Sequence, residues 1–338
     1  MALSRDKQII IGVVVLAGLG GLVYRQAQQD KKMGTAAAVQ QELPSVAAPD
    51  DLDKISITNG DKGEVVLEKK DDKWLVTKPV EAPANQENVK QLLSNLKELK
   101  AKETVATNVT DDLKKTYELD PSKAVRVVGY KGGEQKVDNT FGKWGGRGQM
   151  MMTGDKPNIY AASGYSSYLY TREVKNWRDT EIFRFDDANA SQVTLENKAG
   201  VFSFTKGDKG WAATLKGQPL PRFDEEKVKD LLRNLHALNA DDFADGKTPA
   251  DTGLDAPEAT ITVQLKDNAG KYVLKVGKTQ SGTARYARKE GSDTIYVIPG
   301  WVADWAVADA SKFQKAADAG AAKPATAAMD DDGHGHGH

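Results

Sequence analysis

Hydrophobic residues recur at intervals of three or four positions in two segments of the chain, "VKQLLSNLKEL" and "VKDLLRNLHAL". This spacing places them on one face of an amphipathic helix in each segment. Seven of the eleven positions are identical, at a constant offset of 139 residues. Asn85 and Asp224 stand four residues before the first hydrophobic position and are predicted to cap the two helices. The hydrophobic faces are Val89, Leu92, Leu93, Leu96 and Leu99, and Val228, Leu231, Leu232, Leu235 and Leu238.

Short stretches in which hydrophobic and polar residues alternate precede and follow both helices. "KISIT", "EVVLEK" and "KWLVTK" precede the first helix, and "QVTLEN", "VFSFTK" and "GWAATL" precede the second. Alternation predicts half-buried strands, and the glycine-containing turns between them predict hairpins. A helix with a single hydrophobic stripe must cover a sheet. The pattern therefore predicts an α+β fold, in which a mainly antiparallel sheet is covered by one amphipathic helix.

The duplication extends well beyond the helices. Further matched positions keep their order and an offset between 135 and 139, which independent coincidences would not do. They are Trp74 with Trp211, Leu119-Asp120 with Leu254-Asp255, Gly142-Lys143 with Gly277-Lys278, and Ile159-Tyr160 with Ile295-Tyr296. A repeat of this length has the size of a domain. We therefore predict two tandem homologous domains, residues 51–180 and 181–318.

The N-terminal part of the chain contains an uncharged hydrophobic run at residues 9–24. As a helix it would span about 24 Å, close to the thickness of a hydrocarbon core, and the nearest small-residue cleavage pattern lies too far downstream for a signal peptide. We predict a transmembrane signal anchor there, a cytoplasmic N-terminus at 1–8 and a flexible Ala-, Gln- and Pro-rich tether at 25–50. The positive charges on the two sides of the run are balanced, so they do not decide its orientation in the membrane. A large folded body behind an N-terminal anchor is usually translocated, and we assume this orientation. The protein is then a single-pass protein of the bacterial inner membrane with its folded body in the periplasm.

The C-terminal residues 319–338 have the composition of a disordered tail. His334, His336 and His338 alternate with glycine next to three aspartates, and this arrangement predicts weak metal binding confined to the tail. A flexible segment loses conformational entropy when it closes around a metal, so a defined site is not expected.

Charge and composition exclude several functions. The formal net charge is -1 with basic and acidic residues intermixed, which argues against nucleic acid as a partner. The chain has no cysteine, so thiol nucleophiles and Cys-based zinc sites are excluded. His236 is the single histidine of the folded body, and the first repeat has Lys97 there, which predicts a solvated helix edge. We assign no catalytic residue, no cofactor and no enzymatic activity.

Aromatic residues cluster at matching places in "GYSSYLYTREVKNW" and "GWVADWAVADASKF". Their helical spacing is typical of a closing helix packed on the sheet. The alternative is a contact surface for a partner protein, because aromatic side chains dominate such interfaces. The candidate partner surface consists of Tyr165, Tyr168, Trp177, Trp301 and Trp305.

The repeated pattern resembles the family called domain of unknown function 4340. The resemblance rests on "TGLDAPEATITV" and "VKDLLRNLHALNADDF", and extends over residues 51 to 313. It implies bacterial envelope proteins, often associated with ABC transporters of the gliding-motility auxiliary type, and it implies no catalytic residues. The first repeat departs from the pattern where Glu118 replaces the glycine of the Gly-Leu-Asp turn.

Three hypotheses for the function follow. The first is a non-catalytic accessory or scaffold subunit of an ABC-transporter-associated envelope complex, held by the membrane through residues 9–24 and bound to a protein partner. The alternative is a periplasmic ligand-binding module for a glycan, a lipid or a metal. The third and weakest is a cell-wall hydrolase with a carboxylate pair. The oligomeric state is left open.

Overall fold

A computed structural model describes residues 42–60, 62–154 and 156–316. The chain divides into two compact units between Asp179 and Thr180, directly beside the boundary that the duplication predicts. Unit 1 ends at Asp179 and unit 2 begins at Thr180. The predicted anchor at 9–24, the first part of the tether and the tail at 319–338 lie outside the described residues. Within the described part of the chain, no helix is long and hydrophobic enough to cross a membrane.

Unit 1 is built on one nine-stranded sheet in which all neighbouring strands are antiparallel. Its strands are β1 (Lys54–Asn59), β2 (Gly63–Lys70), β3 (Lys73–Lys78), β4 (Ala82–Pro83), β5 (Lys100–Thr107), β6 (Val125–Lys131), β7 (Glu134–Gly145), β8 (Gly148–Thr153) and β9 (Asn158–Ser163). Its helices are α1 (Gln86–Glu98), α2 (Asp111–Thr116), α3 (Ser167–Tyr170) and α4 (Val174–Trp177). The strand order is β4-β3-β2-β1-β6-β7-β8-β9-β5.

Unit 2 repeats this architecture. Its strands are β10 (Ala190–Asn197), β11 (Gly200–Gly207), β12 (Gly210–Leu215), β13 (Gln218–Pro219), β14 (Asp242–Phe243), β15 (Ala259–Leu265), β16 (Lys271–Ser281), β17 (Ala284–Lys289) and β18 (Tyr296–Ile298). Its helices are α5 (Glu225–Leu235), α6 (Pro249–Thr252) and α7 (Gly300–Ala306), with short 3-10 helices at Asp187–Asn189, Lys266–Asn268 and Ala310–Phe313. The order β13-β12-β11-β10-β15-β16-β17-β18-β14 matches unit 1 strand for strand.

The core of each unit lies between the sheet and its long helix. In unit 1, Val89, Leu92, Leu96 and Leu99 are buried, while Leu93 is half-buried. All five predicted residues of the second face are buried on α5 or just after it. Full burial of each side chain contributes about 1.5–3 kcal/mol. The prediction of an antiparallel sheet covered by one main helix in each unit is therefore confirmed.

Both predicted helix caps are also confirmed. The Asn85 side chain accepts a hydrogen bond from the Asn88 N–H at 3.0 Å, and the Asp224 side chain accepts one from the Glu226 N–H at 3.2 Å. The remaining helices are short, so the described chain is mostly β rather than an even mixture of helix and strand. The pattern of hydrophobic residues predicted the two long helices correctly. It did not predict the short strands that extend each sheet to nine strands.

The end of the predicted tether is part of the folded unit. Pro44, Val46 and Ala48 are buried at alternate positions, the Ala48 N–H donates to the Leu96 carbonyl at 3.0 Å, and the buried Asn139 amide donates to the Val46 carbonyl at 2.8 Å. The prediction of a flexible tether is therefore wrong for residues 42–50. The alternation of residues 42–50 is not visible as a hydrophobic pattern, because its buried positions include proline and alanine. The segment is held to the unit by backbone hydrogen bonds as well as by hydrophobic contacts.

Candidate functional site

The structure separates the five predicted partner-surface residues into two groups. Trp177 is fully buried and Trp305 is 8% exposed, so neither offers a contact surface, and for these two residues the prediction is wrong. Tyr168 and Trp301 are 60% and 57% exposed, respectively. Tyr165 is half-buried. A role for the exposed residues in binding a partner stays a prediction.

Trp177 is buried because it closes the start of the covering helix. Its carbonyl accepts a hydrogen bond from the N–H of the helix cap Asn85 at 2.8 Å. In unit 2 the equivalent residue is Phe313, whose carbonyl accepts from the N–H of the cap Asp224 at 2.9 Å. Trp305 packs on Phe313, with 5.8 Å between the ring centroids. These aromatic residues therefore serve the architecture of the units.

A β-bulge in strand β7 of unit 1 places another tryptophan, Trp144, on the same face of the sheet as the buried Phe141. Phe141 pairs with Met151, and Trp144 pairs with Gln149, so β7 has one residue more than β8 between the two pairs. Without the bulge, residues three positions apart would point to opposite faces of the strand. With it, Phe141 and Trp144 share a face. Phe141 is buried, whereas Trp144 is 68% exposed.

The bulge depends on glycine. A Cβ atom at Gly142 would clash with the carbonyl oxygen of Tyr117, and the following Lys143 N–H donates to that same oxygen at 2.9 Å. Unit 2 contains the same feature, because a Cβ at Gly277 would clash with the carbonyl oxygen of Thr252. The repeated Gly-Lys pairs, Gly142-Lys143 and Gly277-Lys278, therefore form the bulge in both units.

Trp144 forms one wall of an open pocket in unit 1 with a volume of about 530 Å³. This volume lies in the range of small-molecule sites, roughly 300–1,000 Å³. Apolar, aromatic, hydroxyl, amide and ammonium groups all contribute to its surface. The lining residues are Lys123, Val125, Phe141, Gly142, Trp144, Gln149, Tyr165, Ser166, Ser167 and Thr171.

Tyr165 is held rigidly in the pocket wall by its neighbours. Its ring stacks on Phe141 at a centroid distance of 4.2 Å and on Tyr170 at 4.7 Å. Burial raises the pKa of the Tyr165 phenol far above its usual value, so the group is neutral over the physiological range. Tyr170 is fixed in turn, because its hydroxyl donates to the Asn95 side chain at 2.8 Å. Tyr165 therefore presents a preorganised neutral surface.

Gln149 on β8 pairs with Trp144 on β7, and its side chain stabilises the bulge through hydrogen bonds. Its side-chain amide donates to the Gly142 carbonyl at 2.6 Å and to the Met150 carbonyl at 3.2 Å, and only 3% of the residue is exposed. The neighbouring Met150 and Met151 are buried in β8 and belong to the core of the unit.

Unit 2 fills the equivalent place with a different set of groups. By strand register, Thr279 stands where unit 1 has Trp144, and Arg285 stands where it has Gln149. Arg285 donates to the Gly277 carbonyl at 3.0 Å, as Gln149 does to Gly142. Its guanidinium also forms a 2.7 Å ion pair with Glu258, in the turn before β15. In the corresponding turn before β6, unit 1 has the exposed Lys123.

Sequence reasoning missed Trp144, Gln149 and Lys123. The available signal was the difference between repeats, since "FGKWGGRG" has a tryptophan where "VGKTQSG" has a threonine. His236 is half-exposed at the end of α5, as expected, with its Nδ1 2.7 Å from the Arg233 carbonyl oxygen. His334, His336 and His338 lie outside the described residues. Within the described ranges, no group of three metal-ligating side chains converges.

The sequence profile of one family matches most of the chain. It is the family described as domain of unknown function (DUF4340), and the match covers residues 74–257 and 249–317 in two overlapping segments. No curated protein and no solved structure gives a significant match. Because the matched segments together run over well over half of the sequence, the chain belongs to the DUF4340 family.

Proposed function

We propose that the chain is a non-catalytic, membrane-anchored protein that acts as an accessory or scaffold subunit of an ABC-transporter-associated complex in the bacterial envelope. The hydrophobic run at 9–24 supports the anchor and, with the large body behind it, a single pass through the inner membrane. Membership of DUF4340 is compatible with this role. In this proposal the folded body works in the periplasm.

The observation that carries the proposal is the exposed aromatic surface of unit 1. Trp144 and Tyr168 are both more than half exposed, and the pocket lined by Trp144 also includes Ser167, the residue before Tyr168. Arg172 lies over the Tyr168 ring at 5.4 Å, which holds the ring in place. Exposed, ordered Trp, Tyr and Arg side chains are the residue types that anchor protein interfaces.

The test is purification of the full chain from membranes in a mild detergent, followed by identification of co-purifying proteins. An ABC-type subunit is expected with the wild-type chain and is expected to be lost with a W144A and Y168A double variant. The matched control is Val201→Ala, which removes an exposed hydrophobic side chain in unit 2. Recovery of the wild-type chain without such a subunit, or equal recovery with all variants, contradicts the proposal.

A second candidate function is a ligand-binding module, and the pocket of unit 1 favours it. The pocket has a suitable volume and combines aromatic walls with several hydrogen-bonding groups. A ligand that binds the folded state but not the unfolded state raises the melting temperature, and the increase grows with the ligand concentration relative to its Kd. Thermal-shift screening of glycans, lipids and metal ions with the purified chain tests this candidate, and a uniform absence of shifts counts against it.

A further inference from the structure

The charged groups at the pocket of unit 1 differ from those at the equivalent place in unit 2. In unit 2, Arg285 and Glu258 neutralise each other at 2.7 Å. In unit 1, the buried position has the neutral Gln149, while Lys123 is among the residues that line the pocket. Among the residues that line this pocket there is no carboxylate and no imidazole. Lys123 is therefore the charged residue of the lining, and the carboxylate of Asp120, which interacts with it electrostatically, lies outside the lining.

The composition of the wall discriminates between ligand classes. Transition-metal sites in proteins are built mainly from carboxylate, imidazole and thiolate ligands, which the lining residues do not provide. A lipid chain needs an enclosed hydrophobic cavity, but this pocket is open and lined by Lys123, Ser166 and Ser167 as well as by apolar groups. A sugar has both kinds of surface, since the C–H face of a pyranose ring packs on an aromatic ring while its hydroxyls form hydrogen bonds.

The polar groups are placed to meet such a ligand. The Ser166 side chain makes no capping hydrogen bond with the helix that it precedes, and Ser166 is one of the lining residues. Trp144 presents an exposed indole that amphipathic ligands can cover. The partly exposed Tyr165 ring, which stacks on the buried Phe141, provides a fixed second aromatic surface. Little reorganisation is needed before a ligand binds, which favours affinity.

We propose that the pocket of unit 1 binds a carbohydrate that carries a carboxylate, with the sugar ring against Trp144 and the carboxylate at Lys123. This inference names the ligand class of the second candidate function and rests on that function alone. It does not depend on a partner protein. Failure of sugar binding leaves the accessory-subunit proposal intact, and failure to recover an envelope partner leaves the sugar site intact.

The experiment titrates the purified full chain with a matched pair of disaccharides, cellobiose and cellobiouronic acid, and follows binding by saturation-transfer NMR. The acidic sugar is expected to bind about fivefold more tightly, the upper range for an exposed charge pair. The preference is expected to decrease at high salt, because an open site is screened. Ring protons on one face of the sugar are expected to receive the strongest saturation.

Three variants locate the site. Trp144→Ala is expected to weaken binding of both sugars at least tenfold, whereas Lys123→Gln is expected to abolish only the preference for the acidic sugar. Trp301→Ala removes a tryptophan of unit 2 that is also more than half exposed, and it is expected to change neither the affinity nor the preference. Circular dichroism confirms that each variant is folded. Absence of binding at millimolar sugar, binding that survives Trp144→Ala, or equal affinity for the two sugars overturns the proposal.

Discussion

The corner between strand β3 and helix α1 depends on a single glutamine, and this contact gives a quantitative prediction. Gln86 accepts a hydrogen bond from the Trp74 N–H at 2.9 Å. Its amide donates to the Trp74 carbonyl at 2.9 Å and to the Ala84 carbonyl at 2.8 Å. One side chain therefore joins the first turn of the covering helix to the strand that it packs against.

Gln86→Ala removes all three hydrogen bonds. Each contributes about 0.5–1.5 kcal/mol net, and the lower half of that range applies because the site is partly exposed to water. We therefore expect a loss of about 2 kcal/mol in the free energy of unfolding. Lys90→Ala, an exposed substitution on the same helix, is the control, and its effect is expected to stay within about 0.5 kcal/mol.

Urea unfolding of the full chain measures the loss, and hydrogen exchange in peptides that contain Trp74 assigns it to unit 1. Gln86→Glu provides an intermediate case, because a carboxylate can still accept from the Trp74 N–H but cannot donate to the two carbonyls. The ranking Lys90→Ala, Gln86→Glu, Gln86→Ala, from mildest to most severe, is expected. If Gln86→Ala costs no more than Lys90→Ala, the glutamine does not stabilise this corner.

Three further predictions concern the core, the bulge and the acid stability of unit 2. Leu231→Ala is expected to reduce the free energy of unfolding by about 2–5 kcal/mol in urea, because the residue is fully buried on α5. Gly142→Ala is expected to lower the melting temperature through its backbone clash, whereas Gly146→Ala, which has open space around it, is expected to leave it unchanged. The hydrogen bond from the Trp211 N–H is the main reason why the pKa of Glu225 lies below its ordinary value of 4.5. The ionised Glu225 therefore stabilises the folded state fully above pH 4.5, and this stabilisation is lost as the pH falls through the lowered pKa. Glu225→Gln is expected to flatten this acid dependence, and an unchanged pH profile would contradict it.

The parts of the fold that the sequence predicts correctly are those with local causes. The hydrophobic stripe of α5 and the caps Asn85 and Asp224 each depend on residues within a few positions of one another. The strands β1 and β10 show their alternation directly. Comparison of the two repeats then predicts the domain-sized duplication, because several short sequence matches keep nearly the same offset.

The parts that the sequence does not predict depend on contacts between distant segments. Residues 42–50 join the core through backbone hydrogen bonds that leave no hydrophobic pattern. Trp177 looks like a surface aromatic in sequence, yet its backbone closes a helix cap about ninety positions earlier in the chain. Trp144 reaches the pocket only because a bulge changes the face on which it lies. A period-two count along β7 would assign it to the opposite side.

The two repeats also separate structural requirements from function. Where both units need the same feature, they keep its role even if the residue changes: Gln86 and Glu225 both accept a hydrogen bond from the strand tryptophan, and Trp177 and Phe313 both close a cap. Trp144 and Thr279 occupy the same position in the bulge, but one side chain is large and aromatic and the other is small and polar. Since unit 2 forms the same sheet without a tryptophan there, the fold does not require one. In unit 1 this exposed indole lies in the wall of a pocket, and that combination is the reason to test the proposed ligand binding in unit 1.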